Sequence, residues 1–209
     1  MMEVAPGPLP SVAIVLLAAG KASRMGEGGP HKLLATFDGV PLVRRMAERA
    51  LATGVPTLVV TGHRHGDIEV ALAGLDVALV HNADYASGLA GSIITGFEAA
   101  AADRFDGVLI LLADMPFLTT SDLRALIDAF SVASGQAIVR AMSNGKRGNP
   151  VILPISLRTA LLSLSGDAGA REIVETCGLP VVEVEIGDAA RLDVDTPEAV
   201  IAAGGILGD

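Results

Sequence analysis

Aromatic residues and cysteine are scarce in this sequence. Aromatic residues make up only 3% of the 209 residues and tryptophan is absent, whereas hydrophobic residues make up 51%. The core must therefore be built from aliphatic side chains and alanine, and the chain is too hydrophobic to be disordered. The single cysteine, Cys177, excludes an internal disulfide and a metal site built from cysteines. We expect Cys177 to be a small buried residue at the end of a helix.

Positive charge is scarce as well. The 15 lysine and arginine residues face 24 acidic residues, which gives a formal net charge of −9 and a pI near 4.8. Because nucleic acids and anionic membranes attract a basic surface, this composition argues against both as partners. Any anion must instead be bound by a local cluster of cations.

Long hydrophobic runs are also missing. The run from Val12 to Ala19 is too short to span a bilayer, and no basic residue precedes it as in a signal peptide. We therefore expect a cytoplasmic protein. The length is sufficient for one α/β domain with a full core. We expect a flexible tail over residues 1–10, which contain three prolines, and a single domain over residues 11–209.

Predicted strands alternate with predicted helices from residue 12 to residue 130. This alternation predicts a three-layer, Rossmann-like α/β fold with a mostly parallel, doubly wound sheet. In such folds the ligand site lies beyond the carboxyl ends of the strands. The apolar runs that predict buried strands are Val12–Ala18, Pro56–Thr61, Val77–His81 and Val108–Ala113.

Three other segments carry local predictions. Residues 32–37 predict a short extended piece, and residues 143–149 predict a turn between two strands. The last helix is predicted to begin at Asp195-Thr196-Pro197, with Asp195 or Thr196 as its N-cap and the proline in its first turn.

The stretch that follows the first strand is rich in glycine and positive charge. Gly20 and Gly26 allow backbone N–H groups to approach anionic oxygens, and Arg24 and Lys32 supply countercharge. The spacing matches neither the dinucleotide fingerprint nor the P-loop. It predicts a nucleotide triphosphate site, although an ordinary flexible turn between a strand and a helix would have a similar composition.

Carboxylates end two of the predicted strands. Asp114 follows a continuous apolar strand and is held in place by Pro116, which suits a Mg²⁺ ion that also binds substrate phosphates. Asp193 and Asp195 are the candidates for a second ligand. Because Asp195 stands where a helix cap is expected, we favour Asp193.

Four motifs in this order resemble the nucleotidyltransferases that act on molybdopterin, and most of all the molybdenum cofactor cytidylyltransferases. The resemblance extends from about residue 12 to residue 202. The motifs are Leu17-Ala18-Ala19-Gly20-Lys21-Ala22-Ser23-Arg24-Met25-Gly26 with Lys32, Asp114-Met115-Pro116, Gly166-Asp167-Ala168-Gly169-Ala170-Arg171 and Asp193-Val194-Asp195-Thr196-Pro197.

The resemblance implies a set of site residues. It places Arg24 and Lys32 at the phosphates and Asp114 on Mg²⁺, and these three are the expected catalytic residues. It also places the loop from Asn82 to Ser92 beside the nucleobase. The remaining nucleotide-binding residues that it implies are Leu17, Ala18, Ala19, Gly20, Ser87, Gly88 and Ser92.

The resemblance also implies the substrates. Alanine at position 19 resembles the branch that uses CTP, whereas relatives that use GTP usually carry glycine there. The implied acceptor is molybdopterin or the molybdenum cofactor, and a molybdoenzyme or its chaperone is a further implied partner. The candidate acceptor-binding residues are Arg147, Asn149, Asp167 and Arg171, with Lys146 either joining them or lying in a solvated turn.

The sequence departs from the family pattern in two places. Five residues separate Gly26 from Lys32, where the family usually has two. The acceptor segment reads Gly148-Asn149-Pro150 in place of Gly-His-Pro, and asparagine cannot titrate near neutral pH as histidine does.

The chemistry of nucleotidyl transfer agrees with this set of residues. An acceptor phosphate attacks the α-phosphorus in line and releases pyrophosphate, so fixed cations and a metal provide most of the catalysis and no covalent nucleophile is needed. Alternatives are a GTP-dependent enzyme, a transferase acting on a sugar or polyol phosphate, and a carrier that holds molybdopterin without catalysis. His63, Arg64 and His65 lie on a polar turn and are expected to face solvent.

Overall fold

The computed structural model describes residues 9–26, 30–164, 166 and 171–208, with the backbone only at residues 171 and 172. Residues 1–8 of the predicted tail lie outside this part of the chain. The strands are β1 (Val12–Ala18), β2 (Thr36–Phe37), β3 (Val40–Pro41), β4 (Thr57–Thr61), β5 (Ala78–His81), β6 (Gly107–Leu112), β7 (Ile138–Ser143), β8 (Lys146–Pro154) and β9 (Val181–Glu185). The helices are α1 (Leu42–Leu51), α2 (His65–Ala71), α3 (Leu89–Ala102), α4 (Thr120–Val132), α5 (Arg158–Leu161), α6 (Arg171–Thr176) and α7 (Pro197–Ala202).

A seven-stranded sheet forms the centre of the fold, in the order β5-β4-β1-β6-β8-β7-β9. Strands β5, β4, β1 and β6 are parallel, and β9 is parallel to β7, whereas β8 runs antiparallel to both β6 and β7. The small strands β2 and β3 form a separate hairpin. The predicted Rossmann-like, mostly parallel α/β fold is confirmed.

Helices cover both faces of the sheet, which gives the three layers. Alternate residues of β1 supply the two cores: Ile14 and Leu16 face α1, α2, α4 and α7, whereas Val15 and Leu17 face α3, α5 and α6. This alternation follows from the period of two in a strand, and a strand buried on both faces is apolar throughout. All seven residues of β1 are buried. None of the helices in the described ranges is both long and apolar enough to cross a membrane.

Two local predictions are wrong. The turn predicted at residues 143–149 is only the pair Asn144-Gly145, both with positive φ, and β8 already begins at Lys146. An Asn-Gly pair with this geometry closes a two-residue hairpin, which leaves the polar residues after it in the strand. The extended piece predicted at residues 32–37 starts instead with a 3₁₀ turn, Lys32–Leu34.

Close packing of α3 on the sheet depends on Gly96. A Cβ atom at this position would lie 2.3 Å from Val15 Cγ1 and 2.8 Å from Val60 Cγ2. Both valines belong to buried central strands and cannot move aside. We therefore expect Gly96→Ala to lower the free energy of unfolding by about 1–3 kcal/mol, measured by urea denaturation. Gly66→Ala is the matched control, because position 66 lies in a helix with no atom within 4 Å of the added Cβ. An unchanged midpoint for Gly96→Ala would contradict this account of the packing.

Candidate active site

A cavity of about 340 Å³ opens at the carboxyl ends of the parallel strands. The loop after β1, the loop after β5 and the residues after β6 form its walls. Of the residues predicted for the nucleotide, the following line it: Leu17, Ala19, Gly20, Lys32, Gly88 and Ser92. Asp114, which was predicted for the metal, lines it as well. Ala18 is buried in the core beneath α1 and α4.

The glycine-rich loop is held by one buried side chain. Ala22 has a φ of 52°, and the 3₁₀ turn Ser23–Met25 follows it and buries Met25 in the core. This anchor leaves Arg24 on the outer side of the loop, where its side chain is 71% exposed and its Nη1 lies 2.5 Å from Asp195 Oδ2. The extra residues Glu27, Gly28 and Gly29 lie outside the described residues.

Lys32 is the central cation of the site. Its side chain is only 12% exposed, and its Nζ lies 2.5 Å from Asp114 Oδ2 and 2.5 Å from Asp195 Oδ1. Burial lowers the pKa of Lys32, but the charge of Asp114 and hydrogen bonds to both carboxylates outweigh burial, so the pKa is raised above its usual value. Lys32 therefore carries a positive charge throughout the neutral pH range.

Three carboxylates meet beside Lys32. Asp114 follows β6, and its backbone oxygen accepts a 2.9 Å hydrogen bond from the N–H of Val194, which ties Asp193 and Asp195 to the same place. One oxygen from each carboxylate lies within 4.8 Å of the others. Asp114 Oδ1 is buried and finds no hydrogen-bond partner in the part of the chain that the structure describes. Hard, clustered oxygen donors of this kind fit a divalent cation.

Asp195 does not cap the last helix, contrary to the expectation that disfavoured it as a metal ligand. The N-cap of α7 is Thr196, whose Oγ1 accepts a 3.2 Å hydrogen bond from the N–H of Ala199. The carboxylate of Asp195 is therefore turned toward Lys32 and Arg24. Sequence alone could not separate the two caps, because they are adjacent and both residue types cap helices well.

The aspartates also differ in protonation. Burial raises the pKa of Asp193, and the negative charges of Asp195 and Asp114 raise it further. Burial also raises the pKa of Asp195, but the hydrogen bond and charge of Lys32 outweigh that effect, so its pKa lies below the usual range. When no metal is bound, Asp195 therefore ionises more readily than Asp193. A bound metal would stabilise the charged form of Asp193 more than that of Asp195.

The loop after β5 is fixed by its own hydrogen bonds. The Asn82 side-chain amide donates to Ser92 Oγ at 3.1 Å, and Asn82 Oδ1 accepts the N–H of Asp84 at 3.0 Å. Ser87 Oγ donates to the Asp84 backbone oxygen at 2.7 Å. The predicted serines therefore shape the loop, and Gly88 and Ser92 form part of the cavity wall.

Tyr85 is a site residue that the sequence analysis missed. It lines the cavity, and Lys21 Nζ lies 5.8 Å from the centre of its ring. The loop that carries Tyr85 packs closely against the backbone of Gly62. A Cβ atom at position 62 would lie only 2.6 Å from Tyr85 Cβ, so this contact requires glycine. The sequence could have indicated Tyr85 as a site residue, since it is the only tyrosine of the chain and lies in the loop expected beside the nucleobase.

In the part of the chain that the structure describes, the histidines near this loop are not grouped with further metal-ligating side chains. His63 was expected to face solvent, but it is half-buried, and its ring stacks on that of His31 with 5.6 Å between the ring centres. Burial lowers the pKa of His31 to about 4, so the residue before Lys32 is neutral at physiological pH. Arg64 and His65 are exposed as expected; Arg64 forms an ion pair with Asp67, and His65 Nδ1 lies 3.6 Å from Glu69 Oε1.

A second cavity of about 840 Å³ adjoins the first, and Leu89 and Leu112 line both. The predicted acceptor residues Arg147 and Asn149 line it, together with Lys146. Arg147 Nη1 lies 2.5 Å from Glu175 Oε1. Asp167 lies outside the described residues, as does the side chain of Arg171, so their predicted roles stay predictions.

An irregularity in β8 shapes this second cavity. Arg140 pairs with Val151 and Met142 with Arg147, so the segment Gly148–Pro150 bulges opposite a single residue of β7. Bulges of this kind re-aim side chains beside active sites. Gly148 is required there, because a Cβ would lie 2.3 Å from the backbone oxygen of Ala190.

Comparison with known proteins agrees with this geometry. The family model described as the MobA-like NTP transferase domain matches residues 14–182. Nicotine blue oxidoreductase from Paenarthrobacter nicotinovorans is 32% identical over 203 residues, covering 91% of this chain and 95% of that protein. Molybdenum cofactor cytidylyltransferase from Escherichia coli is 25% identical over 194 residues, covering 92% and 95%. A nucleotidyl transferase from Methanothermobacter thermautotroptrophicus has the same fold, with a TM-score of 0.78, 24% identity and coverage of 94% and 96%.

Proposed function

Because this chain belongs to the MobA-like NTP transferase family, we propose that it transfers CMP from CTP to molybdopterin with release of pyrophosphate. The observation that carries the proposal is the convergence of Lys32 with Asp114 and Asp195 beside the smaller cavity, with Asp114 two positions beyond Leu112, which lines both cavities. A triphosphate in the smaller cavity would place its reacting phosphorus between this cluster and the acceptor cavity.

The cations supply electrostatic catalysis. Lys32 has three N–H donors, so it can share them between the carboxylates and the phosphate oxygens on which charge develops. Arg24 reaches Asp195 from the outer side of the loop and would bind the outer phosphates. The cluster of Asp114, Asp193 and Asp195 fits Mg²⁺, which would neutralise charge on the phosphates when bound.

Ala19 supports CTP as the nucleotide. The residue is only 3% exposed and still forms part of the cavity wall, so its methyl group would leave less room for a base than a glycine at this position. A pyrimidine needs less room than a purine in this cavity of about 340 Å³. Gly88 and the backbone of the adjoining loop would then contact the base.

The acceptor would enter through the larger cavity. Arg147 and Asn149 lie along it on β8, and Arg171 begins α6 on the same side of the sheet. A phosphate dianion held here needs no strong general base, which agrees with the replacement of histidine by Asn149. We further propose that the reaction takes place in the cytoplasm and that the product passes to a molybdoenzyme or its chaperone.

Nucleotide preference is the direct test. In calorimetric titrations with Mg²⁺ present, CTP is expected to bind at least about tenfold more tightly than GTP, a difference of roughly 1.4 kcal/mol. Pyrophosphate release from CTP should require molybdopterin. Tighter binding of GTP would overturn the cytidine assignment, and release with a sugar or polyol phosphate instead would replace the acceptor. Binding of molybdopterin without any pyrophosphate release would favour a carrier.

A second candidate function is that of an oxidoreductase, which the 32% identity to nicotine blue oxidoreductase favours. Hydride transfer does not need clustered carboxylates, whereas nucleotidyl transfer does. Asp114→Asn should therefore remove pyrophosphate release while leaving any consumption of a reduced nicotinamide nucleotide intact. If the wild type oxidises that nucleotide and releases no pyrophosphate, the redox function is the correct one.

A further inference from the structure

A row of three side-chain rings borders the smaller cavity. The ring of His63 stacks on that of His31, with 5.6 Å between the ring centres and 21° between the ring planes. The same ring lies 5.9 Å from that of Tyr85, and the two planes are tilted by 57°. Ring pairs at these separations attract each other. His63 is therefore the central member of the row, because it contacts both of the other rings.

The two ends of this row belong to different walls of the smaller cavity. His31 is only 4% exposed and directly precedes Lys32, which lines the cavity beside the carboxylates. Tyr85 lines the cavity from the loop after β5. Among the described residues, His63 itself does not line the cavity. Any effect of His63 on a ligand must therefore pass through the residues that its ring holds in place.

The backbone around His63 is fixed independently of its ring. The N–H of His63 donates a 3.0 Å hydrogen bond to the backbone oxygen of Ala19, in the loop after β1. The preceding residue, Gly62, is packed so closely that a Cβ atom there would lie 2.8 Å from Ala19 Cβ and 2.6 Å from Tyr85 Cβ. The turn after β4 is thus attached to two walls of the cavity, which gives the ring of His63 a defined position.

The contribution of the His63 side chain comes from the packing of its ring. Its Nδ1 is buried and, among the described residues, has no hydrogen-bond partner. Burial lowers the pKa of His31 to about 4, so the ring stacked on His63 is neutral at physiological pH and adds no positive charge beside Lys32. A phenylalanine at position 63 can make the same ring contacts without leaving a buried nitrogen unpaired.

We propose that His63 is a positioning residue of the nucleotide site, which fixes Lys32 and Tyr85 relative to each other through the row of rings. A nucleotide that contacts both walls binds more tightly when their spacing is already fixed, because ordering mobile groups costs affinity. The inference rests on the proposed function, since that function places the phosphates at Lys32 and the base beside the loop that carries Tyr85. His63 touches no ligand and transfers no proton in this scheme.

Tyrosine fluorescence reports directly on one end of the row. Tyr85 is the only tyrosine and the chain has no tryptophan, so the tyrosine emission of the full chain comes from Tyr85 alone. Without nucleotide, His63→Ala is expected to lower the emission anisotropy of Tyr85, because its ring loses a neighbour. In a CTP titration with Mg²⁺, this variant is expected to bind about tenfold more weakly than the wild type. His63→Phe should restore both values.

A double-mutant cycle separates positioning from a general loss of stability. His31→Ala and Tyr85→Leu each remove one end of the row, and the two residues share His63 as a partner. Their effects on CTP affinity, measured by calorimetry, are expected to depart from additivity by about fivefold and to become additive when His63→Ala is also present.

His65→Ala is the matched control for His63→Ala. His65 lies two residues further along the chain and also takes part in a ring pair, with His81 at 4.7 Å between the ring centres. Its side chain is 57% exposed and, in the part of the chain that the structure describes, neither member of this pair lines the smaller cavity. His65→Ala should therefore leave CTP affinity and the anisotropy of Tyr85 at their wild-type values.

A merely structural role for His63 gives a different result. In that case His63→Ala lowers the melting temperature, but well below that temperature the folded protein binds CTP and holds Tyr85 as the wild type does. That result overturns the inference, as does a His63→Phe variant that fails to recover CTP binding, or full additivity of His31→Ala and Tyr85→Leu. Failure of the proposed function has its own signature, because pyrophosphate release or CTP binding is then missing from the wild type. The dependence of the Tyr85 anisotropy on a ring at position 63, measured without nucleotide, is still present in that case and is decided separately.

Discussion

Asp114→Asn is expected to reduce pyrophosphate release by roughly 10³-fold, with binding of CTP in the absence of metal nearly unchanged. The substitution keeps the shape of the side chain but removes the buried charge that lies within 4.8 Å of two other carboxylates. Loss of a preorganised charge at the reacting phosphates typically costs factors of this size. The measurement is the initial rate of pyrophosphate release at saturating CTP across a Mg²⁺ titration.

The fold should survive this substitution. Removing one of three neighbouring negative charges relieves their repulsion but weakens the contact with Lys32, which keeps its ion pair with Asp195, so the melting temperature is expected to change little. Asp128→Asn is the matched control, because Asp128 is on the exposed face of α4, and it should retain full activity. If the activity of Asp114→Asn were restored by higher Mg²⁺ to the wild-type rate, Asp114 would serve metal affinity alone.

Lys32→Met is expected to lower kcat by about 10²–10³-fold and to raise KM for CTP. The substitution keeps the length of the side chain but removes the only cation that contacts both Asp114 and Asp195 in the described residues. Without Lys32, burial would raise the pKa of Asp195 from its lowered position, because only Arg24 and the hydrogen bond with Asp193 would still oppose it. Steady-state kinetics with varied CTP separate the two effects.

Lys146→Met provides the comparison for this variant. Lys146 lines the larger cavity and is exposed, so its loss should change KM for the acceptor and leave KM for CTP unchanged. Lys32→Arg keeps the charge but needs more room than the buried position offers, so we expect only partial recovery. Equal effects of Lys32→Met and Lys146→Met on CTP would contradict the division of the site into a nucleotide part and an acceptor part.

Both predictions concern residues that sequence reasoning already selected. Glycine and positive charge after an apolar strand pointed to Arg24 and Lys32, and a carboxylate at the end of the strand Gly107–Leu112 pointed to Asp114. These are local signals, because each motif directly follows a strand and parallel strands present their carboxyl ends at one edge. The fold class was predictable for the same reason, since a strand buried on both faces has to be apolar at every position.

The N-cap of α7 and the start of β8 could not be predicted, because neighbouring residues in the sequence suit each position almost equally well. Asp195 and Thr196 are both good helix-capping residue types. In the structure Thr196 caps α7, so the carboxylate of Asp195 is available to accept a hydrogen bond from Lys32. The Asn144-Gly145 pair indicates a tight hairpin, but the polar residues after it conceal the strand that begins at Lys146. In both cases a shift of one or a few residues decides whether a side chain belongs to the site.

The sequence by itself determined the alternation of strands and helices, the glycine-rich loop after β1 and the carboxylate of Asp114, because these follow from short-range patterns of apolar, glycine and charged residues. Only the tertiary structure decided that Asp195 joins Lys32 across 163 positions and that Arg140 lines the larger cavity. Those contacts are set by strand order and register. Order and register result from the packing of the whole sheet, and no local segment of the chain contains them.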